Sequence, residues 1–128
     1  MKKGFTLIEM LVVVAIIGLL ATVVMVALGP QRKTARITAM QASMRSLNTA
    51  MQLCVQDGVV LTAPAAGSVV CASGDGSLTK YGTLPTTGTW SYLYSDLDAT
   101  TDGTFSISAT GDGVIITCTQ SGCATKTP

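Results

Sequence analysis

A single glutamate occurs in the 128 residues of this chain, at the edge of its most apolar run. Glu9 follows Phe5-Thr6-Leu7-Ile8 and directly precedes an uncharged stretch from Met10 to Gly29. Placing a carboxylate in a bilayer costs about 2.5–3.5 kcal/mol on insertion scales, so such a residue needs a partner, and the chemistry it offers is charge pairing. Four cysteines, Cys54, Cys71, Cys118 and Cys123, offer thiol chemistry, and all lie beyond the apolar run. An even set confined to that side fits disulfides in an oxidising, extracytoplasmic compartment. Four cysteines allow three connectivities; sequence order and loop length favour Cys54–Cys71 and Cys118–Cys123. Zinc would need paired short spacings, whereas four residues separate Cys118 from Cys123 and sixteen separate Cys54 from Cys71. Asp96, Asp98 and Asp102, ahead of Gly103, present oxygens of the kind calcium accepts. Their spacing does not match an EF-hand loop, and aspartates commonly just form turns, so calcium is the weaker reading.

What is missing narrows the function. The chain has no histidine, so the usual general base near neutral pH is absent. No nucleophile motif or P-loop compensates, and the sequence implies neither an enzyme nor a cofactor. A net charge of +1 argues against a general nucleic-acid binder, which shows a strong basic face. Arg32, Lys33 and Arg36 follow the apolar run and are placed to meet DNA or lipid head groups. The simpler expectation is that they are solvated or pair with acids of neighbouring subunits.

These residues need elements to hold them. The length suits one small domain plus an anchor. Met10 to Leu28 is nineteen residues, or about 28 Å of helix, close to the hydrocarbon core of a bilayer. It is longer than the apolar region of a secretory signal, and a plain anchor gives no reason for Glu9. Beyond Pro30, which together with Gly29 predicts a kink or local melting near 26–30, a second helical pattern runs to Asp57. Ile37, Met40, Met44, Leu47, Met51 and Cys54 recur at spacings of three and four, the core-facing stripe of a helix lying on a sheet. Gln41, Ser43, Arg45 and Gln52 take the opposite face, and Gly58 is the natural stop.

Residues 59–88 have the Gly, Pro and Ser content of a connecting loop, with a short strand around Val69-Val70-Cys71. Thr89–Tyr94, Thr104–Ala109 and Val114–Thr119 alternate as strands, the last entered through Gly111-Asp112-Gly113, a hairpin signal. In this arrangement Cys118 and Cys123 close the last turn. The expectation is α+β: a long N-terminal helix packed on a small antiparallel sheet of three to four strands.

Gly4-Phe5-Thr6-Leu7-Ile8-Glu9 after Lys2-Lys3, with the spanning run behind it, resembles the cleavage and methylation motif of type IV prepilins. That family comprises pilus subunits and the pseudopilins of type II secretion and competence systems. The likeness continues through Ala15-Ile16-Ile17-Gly18 and covers about the first 57 residues. Many members carry proline where this chain has Val26; here the proline is Pro30. The resemblance implies that a membrane prepilin peptidase cuts between Gly4 and Phe5 and N-methylates Phe5. It also implies that Glu9 pairs with the terminal amine of a neighbouring subunit during assembly, which a buried carboxylate requires.

The implied organisation is a leader over 1–4, a transmembrane and assembly helix over 5–29, an amphipathic half over 30–57 and a β head over 58–128. The implied partners are further copies or related pilins, the peptidase, the inner-membrane assembly machinery and the membrane itself, with nucleic acid only in a competence role. The precursor would be a single-pass cytoplasmic-membrane protein, and the assembled form an extracellular or periplasmic filament. A pilus subunit is the first reading, a secretion or competence pseudopilin the second, and a non-polymerising membrane-anchored binding module the third.

Overall fold

Thr6 opens the first helix and a glycine closes it. The computed structural model describes residues 1, 4–72 and 79–128; the leader lysines Lys2 and Lys3 lie outside the described residues. Helix α1 covers Leu7–Gln56. At its end Gly58 takes φ +69°, a left-handed conformation that costs glycine nothing sterically. The Val59 N–H donates to the Cys54 carbonyl at 2.9 Å, and the Gly58 N–H donates to that of Val55 at 3.1 Å. Those two bonds form a Schellman cap, with Val59 packed on the core beside Cys54. Pro30 lies inside α1, and the helix continues through Gly29 and Pro30 without interruption. The segment stays helical rather than melting, although Pro30 has no N–H to offer Val26.

The chain divides into two units, Met1–Thr34 and Ala35–Pro128. In the second, Met40, Met44, Leu47, Met51 and Cys54 of α1 are all buried, and Ile37 is half-buried against them. The three-four spacing therefore marks the core face as expected. Gln41 and Gln52 depart from their expected place on the opposite face. Gln41 Nε2 donates to Thr125 Oγ1 at 3.0 Å and Gln52 Nε2 to the Gln120 carbonyl at 3.2 Å. Both flank the buried stripe, where a long amide reaches the sheet.

That sheet has four strands: β1 Ser91–Asp96, β2 Ser106–Gly111, β3 Val114–Thr119 and β4 Gly122–Lys126, with a short helix α2 Ala99–Asp102 between β1 and β2. Neighbours in sequence pair antiparallel in the order β1-β2-β3-β4, so the sheet is a meander. Alternation decides the faces. Ile107, Ala109, Ile116 and Cys118 turn inward and are fully buried, while Ser106, Ser108, Thr117 and Thr119 turn outward. Residues 114–119 form the strand expected of them; β1 and β2 each lie two residues later than the alternation suggests. Tyr94 is 55% exposed despite sharing the parity of Trp90 and Tyr92 and pairing with Ile107; the β1–β2 register shifts directly after it, between Tyr94 and Asp96. After β3 the chain does more than turn, since Gly122–Lys126 pairs along it as β4.

Between α1 and β1 the described residues form no strand. Only isolated bridges, Leu61 to Cys71 and Val69 to Lys80, stand where a short strand was expected. Leu61, Val70 and Tyr81 nonetheless plug the core. Both favoured disulfides are present. Cys54–Cys71 ties the last turn of α1 to this loop, and Cys118–Cys123 links directly opposed residues of β3 and β4.

Candidate functional site at the start of the helix

Thr6 is the residue before the first turn of α1, and Glu9 is the third residue within it. The Thr6 N–H donates to Glu9 Oε2 at 3.0 Å, and the Thr6 hydroxyl donates to the same oxygen at 2.7 Å. In return the Glu9 N–H donates to Thr6 Oγ1 at 3.4 Å. This is a capping box, in which threonine and glutamate three residues apart satisfy each other's orphan donors at a helix start. The helix dipole further favours a carboxylate in that first turn. Glu9 thus has a partner within its own chain. The Thr-x-x-Glu signature is present in the sequence and is sufficient to predict the box.

Behind the box the surface is apolar and uncovered. Every described residue from Gly4 to Ala35 is exposed. Phe5, Leu7 and Ile8 are 75%, 79% and 69% accessible, and Val26 is 81%. Among the described residues α1 is the one helix long and apolar enough to cross a membrane, with a window of mean hydropathy 3.1 and none of it buried. Thr22, the polar exception, returns its hydroxyl to the Leu19 carbonyl at 2.8 Å and so satisfies itself. Phe5 and Glu9 share one face at the helix start, with Ile8, Val12 and Val13 around them.

The other candidates fall elsewhere and behave differently. Asp96, Asp98 and Asp102 surround α2, where each accepts local bonds. Asp98 caps the helix through Thr100 N, Asp96 accepts from Asp98 N and Thr104 Oγ1, and Asp102 accepts from Thr104 N at 2.9 Å. That backbone bond is the main reason the Asp102 carboxyl sits below its ordinary range. Among the described residues no group of three His, Cys, Asp or Glu is arranged to hold a metal ion.

Arg36 corrects the expectation that it is solvated or serves a neighbour. Its Nε and one terminal nitrogen donate to the two oxygens of Asp112 at 2.7 and 2.8 Å. Trp90 Nε1 donates to Asp112 Oδ2 at 3.0 Å, and the Asp112 N–H donates to the Gly88 carbonyl at 2.8 Å. Its hydrogen bonding to the Asp112 carboxylate raises the Arg36 guanidinium above its ordinary value. Asp112 and Gly113 occupy the two turn positions between β2 and β3 with φ 52° and 77°, the geometry that favours Asp-Gly there. Nothing local in the sequence announces a pairing across 76 positions.

Residues 1–28 match the family described as the prokaryotic N-terminal methylation motif. It is the prepilin-type cleavage motif of type IV pilins and pseudopilins, and it supports a type IV pilin-like or pseudopilin protein. No curated protein and no solved structure matches the chain.

Proposed function

We propose that this chain is the structural subunit of a type IV pilus-like filament. In this reading it enters the cytoplasmic membrane through the apolar part of α1. A prepilin peptidase then cleaves the Gly4–Phe5 bond on the cytoplasmic side and N-methylates Phe5. The assembly machinery transfers the helix from lipid to the filament core, where Glu9 pairs with the Phe5 amine of a neighbouring copy. Gly29 and Pro30 allow the helix to bend just beyond the bilayer, and the disulfide-stapled head faces the outside.

The observation that carries this reading is the methylation motif joined to a helix whose apolar residues from Leu7 to Leu28 have no cover among the described residues. Such a surface is stable only in lipid or against other apolar helices, and a filament of like chains offers the second. Once water is the reference, burial there is worth roughly 25 cal/mol per Å². Shearing cells that express the chain should release it as filaments. Recovery solely as a membrane-bound monomer would contradict polymerisation. A bulky residue in place of Gly4 should leave the leader attached.

A further inference from the structure

Both hydrogen bonds that Thr6 gives to Glu9 converge on Oε2. A carboxylate offers about four acceptor sites on its two oxygens, so fixing one oxygen leaves the other able to accept. We infer that Thr6 is a positioning residue for assembly: by holding Oε2 in the capping box it presents Oε1 of Glu9 to the incoming amine. The inference rests on the proposed pairing of Glu9 with a Phe5 amine and adds the device that aims it.

Three points of geometry support this. First, cleavage after Gly4 leaves the Phe5–Thr6 peptide bond intact, so the Thr6 N–H and hydroxyl that hold Glu9 persist in the mature chain. Second, the Phe5 nitrogen that becomes the new amine belongs to the residue immediately before the one holding the carboxylate. The new amine therefore arises at the same helix start that carries the carboxylate. Third, Glu9 is fully exposed and its first-turn neighbours Phe5, Leu7 and Ile8 are apolar, so the box supplies polar contacts that this stretch otherwise lacks. A free glutamate side chain must lose rotamer freedom when it pairs, at a cost of up to about 2 kcal/mol on side-chain entropy scales. A side chain already ordered by its own helix start loses less on meeting its partner, and this preorganisation is the advantage the box confers.

The capping box and the charge make different demands, and variants separate them. Glutamine can complete a capping box but carries no charge. Valine at position 6 keeps the shape and the backbone N–H but has no hydroxyl to hold Oε2. Serine restores the hydroxyl. The readout is the share of chains with a free Phe5 terminus that enters sheared filaments, so that any effect on leader cleavage divides out.

Thr6→Val should lower that share on the order of fivefold, the size of one lost cap interaction, and Thr6→Ser should restore it. Glu9→Gln should abolish incorporation even though its cap is retained. If Thr6→Val enters filaments as well as the parent while Glu9→Gln does not, charge pairing stands and the positioning role of Thr6 is wrong. If Glu9→Gln also assembles normally, the pairing itself is wrong and the inference falls with it. If Thr6→Ser behaves like Thr6→Val, the hydroxyl is not what matters and the capping-box account is overturned.

Discussion

Asp112 receives three side-chain donors, two from Arg36 and one from Trp90, on a carboxylate only 7% exposed. Bidentate charge-assisted bonds of this kind are the strong ones, and breaking one partner of a shielded pair leaves the other uncompensated. Asp112→Asn should keep the turn and the Trp90 bond but lose the charge facing Arg36. A cost of about 1–3 kcal/mol is expected, followed through the fluorescence of Trp90 during urea unfolding in detergent. Gly111 is a second fixed point, since a Cβ there would lie 2.3 Å from the Trp90 ring. Gly111→Ala should displace that ring and cost about 1–3 kcal/mol by overpacking.

Tyr81 gives a pH signature at the same scale. Its ring is buried, its hydroxyl donates to the Thr62 carbonyl at 3.0 Å, and burial pushes its phenol up to about 12. An unfolded tyrosine titrates near ~10, so the folded chain holds this proton more tightly. The resulting stability is complete below about pH 10 and is lost as pH rises through about 12, a total on the order of 2–3 kcal/mol. Tyr81→Phe should flatten that alkaline fall in a series of melts; an unchanged slope would place the titration elsewhere.

At the scale of elements, legibility follows the range of the interaction. The α1 stripe from Ile37 to Cys54 was readable because helical period and burial agree at each step. The β2–β3 hairpin was readable because Asp112-Gly113 fits a turn that needs positive φ at both positions. Strand β4 was not, because Gly122–Lys126 is short and polar and takes its structure from pairing with β3. The Arg36–Asp112 bond was invisible for the same reason: it depends on the meander bringing a turn to the helix. The disulfides were readable as a favoured pairing because loop length and order agreed with the final packing. They differ in enclosed chain, with sequence separations of 17 and 5. Loop-closure entropy then predicts a loss of about 3 kcal/mol for a Cys54→Ala, Cys71→Ala pair and about 2 kcal/mol for Cys118→Ala, Cys123→Ala. Chemical denaturation of the two double variants checks the order.

For the whole molecule, the two units rest on different stabilising environments. All residues of the buried cluster, and the hydrophobics packed against it, lie from Ile37 onward. A fragment beginning at Ala35 should therefore remain soluble and unfold cooperatively, as circular dichroism with melting would show. The described residues of Met1–Thr34 are exposed throughout, an apolar surface of the kind that lipid or other apolar helices cover. The methylation motif was legible because it is local: a small residue, Phe5, an acid at a fixed offset and an apolar run. The head reveals less, because the packing and pairing of a four-stranded meander on a helix specify a fold and not a role.

The central claim is that cleavage before Phe5 yields a methylated subunit that assembles into filaments. Mass spectrometry of the N-terminal peptide from sheared surface filaments tests it most directly. The account predicts a peptide that begins at Phe5, carries one added methyl group and comes from polymer. A peptide that still begins at Met1, or a mature peptide found solely in the membrane fraction, would contradict it.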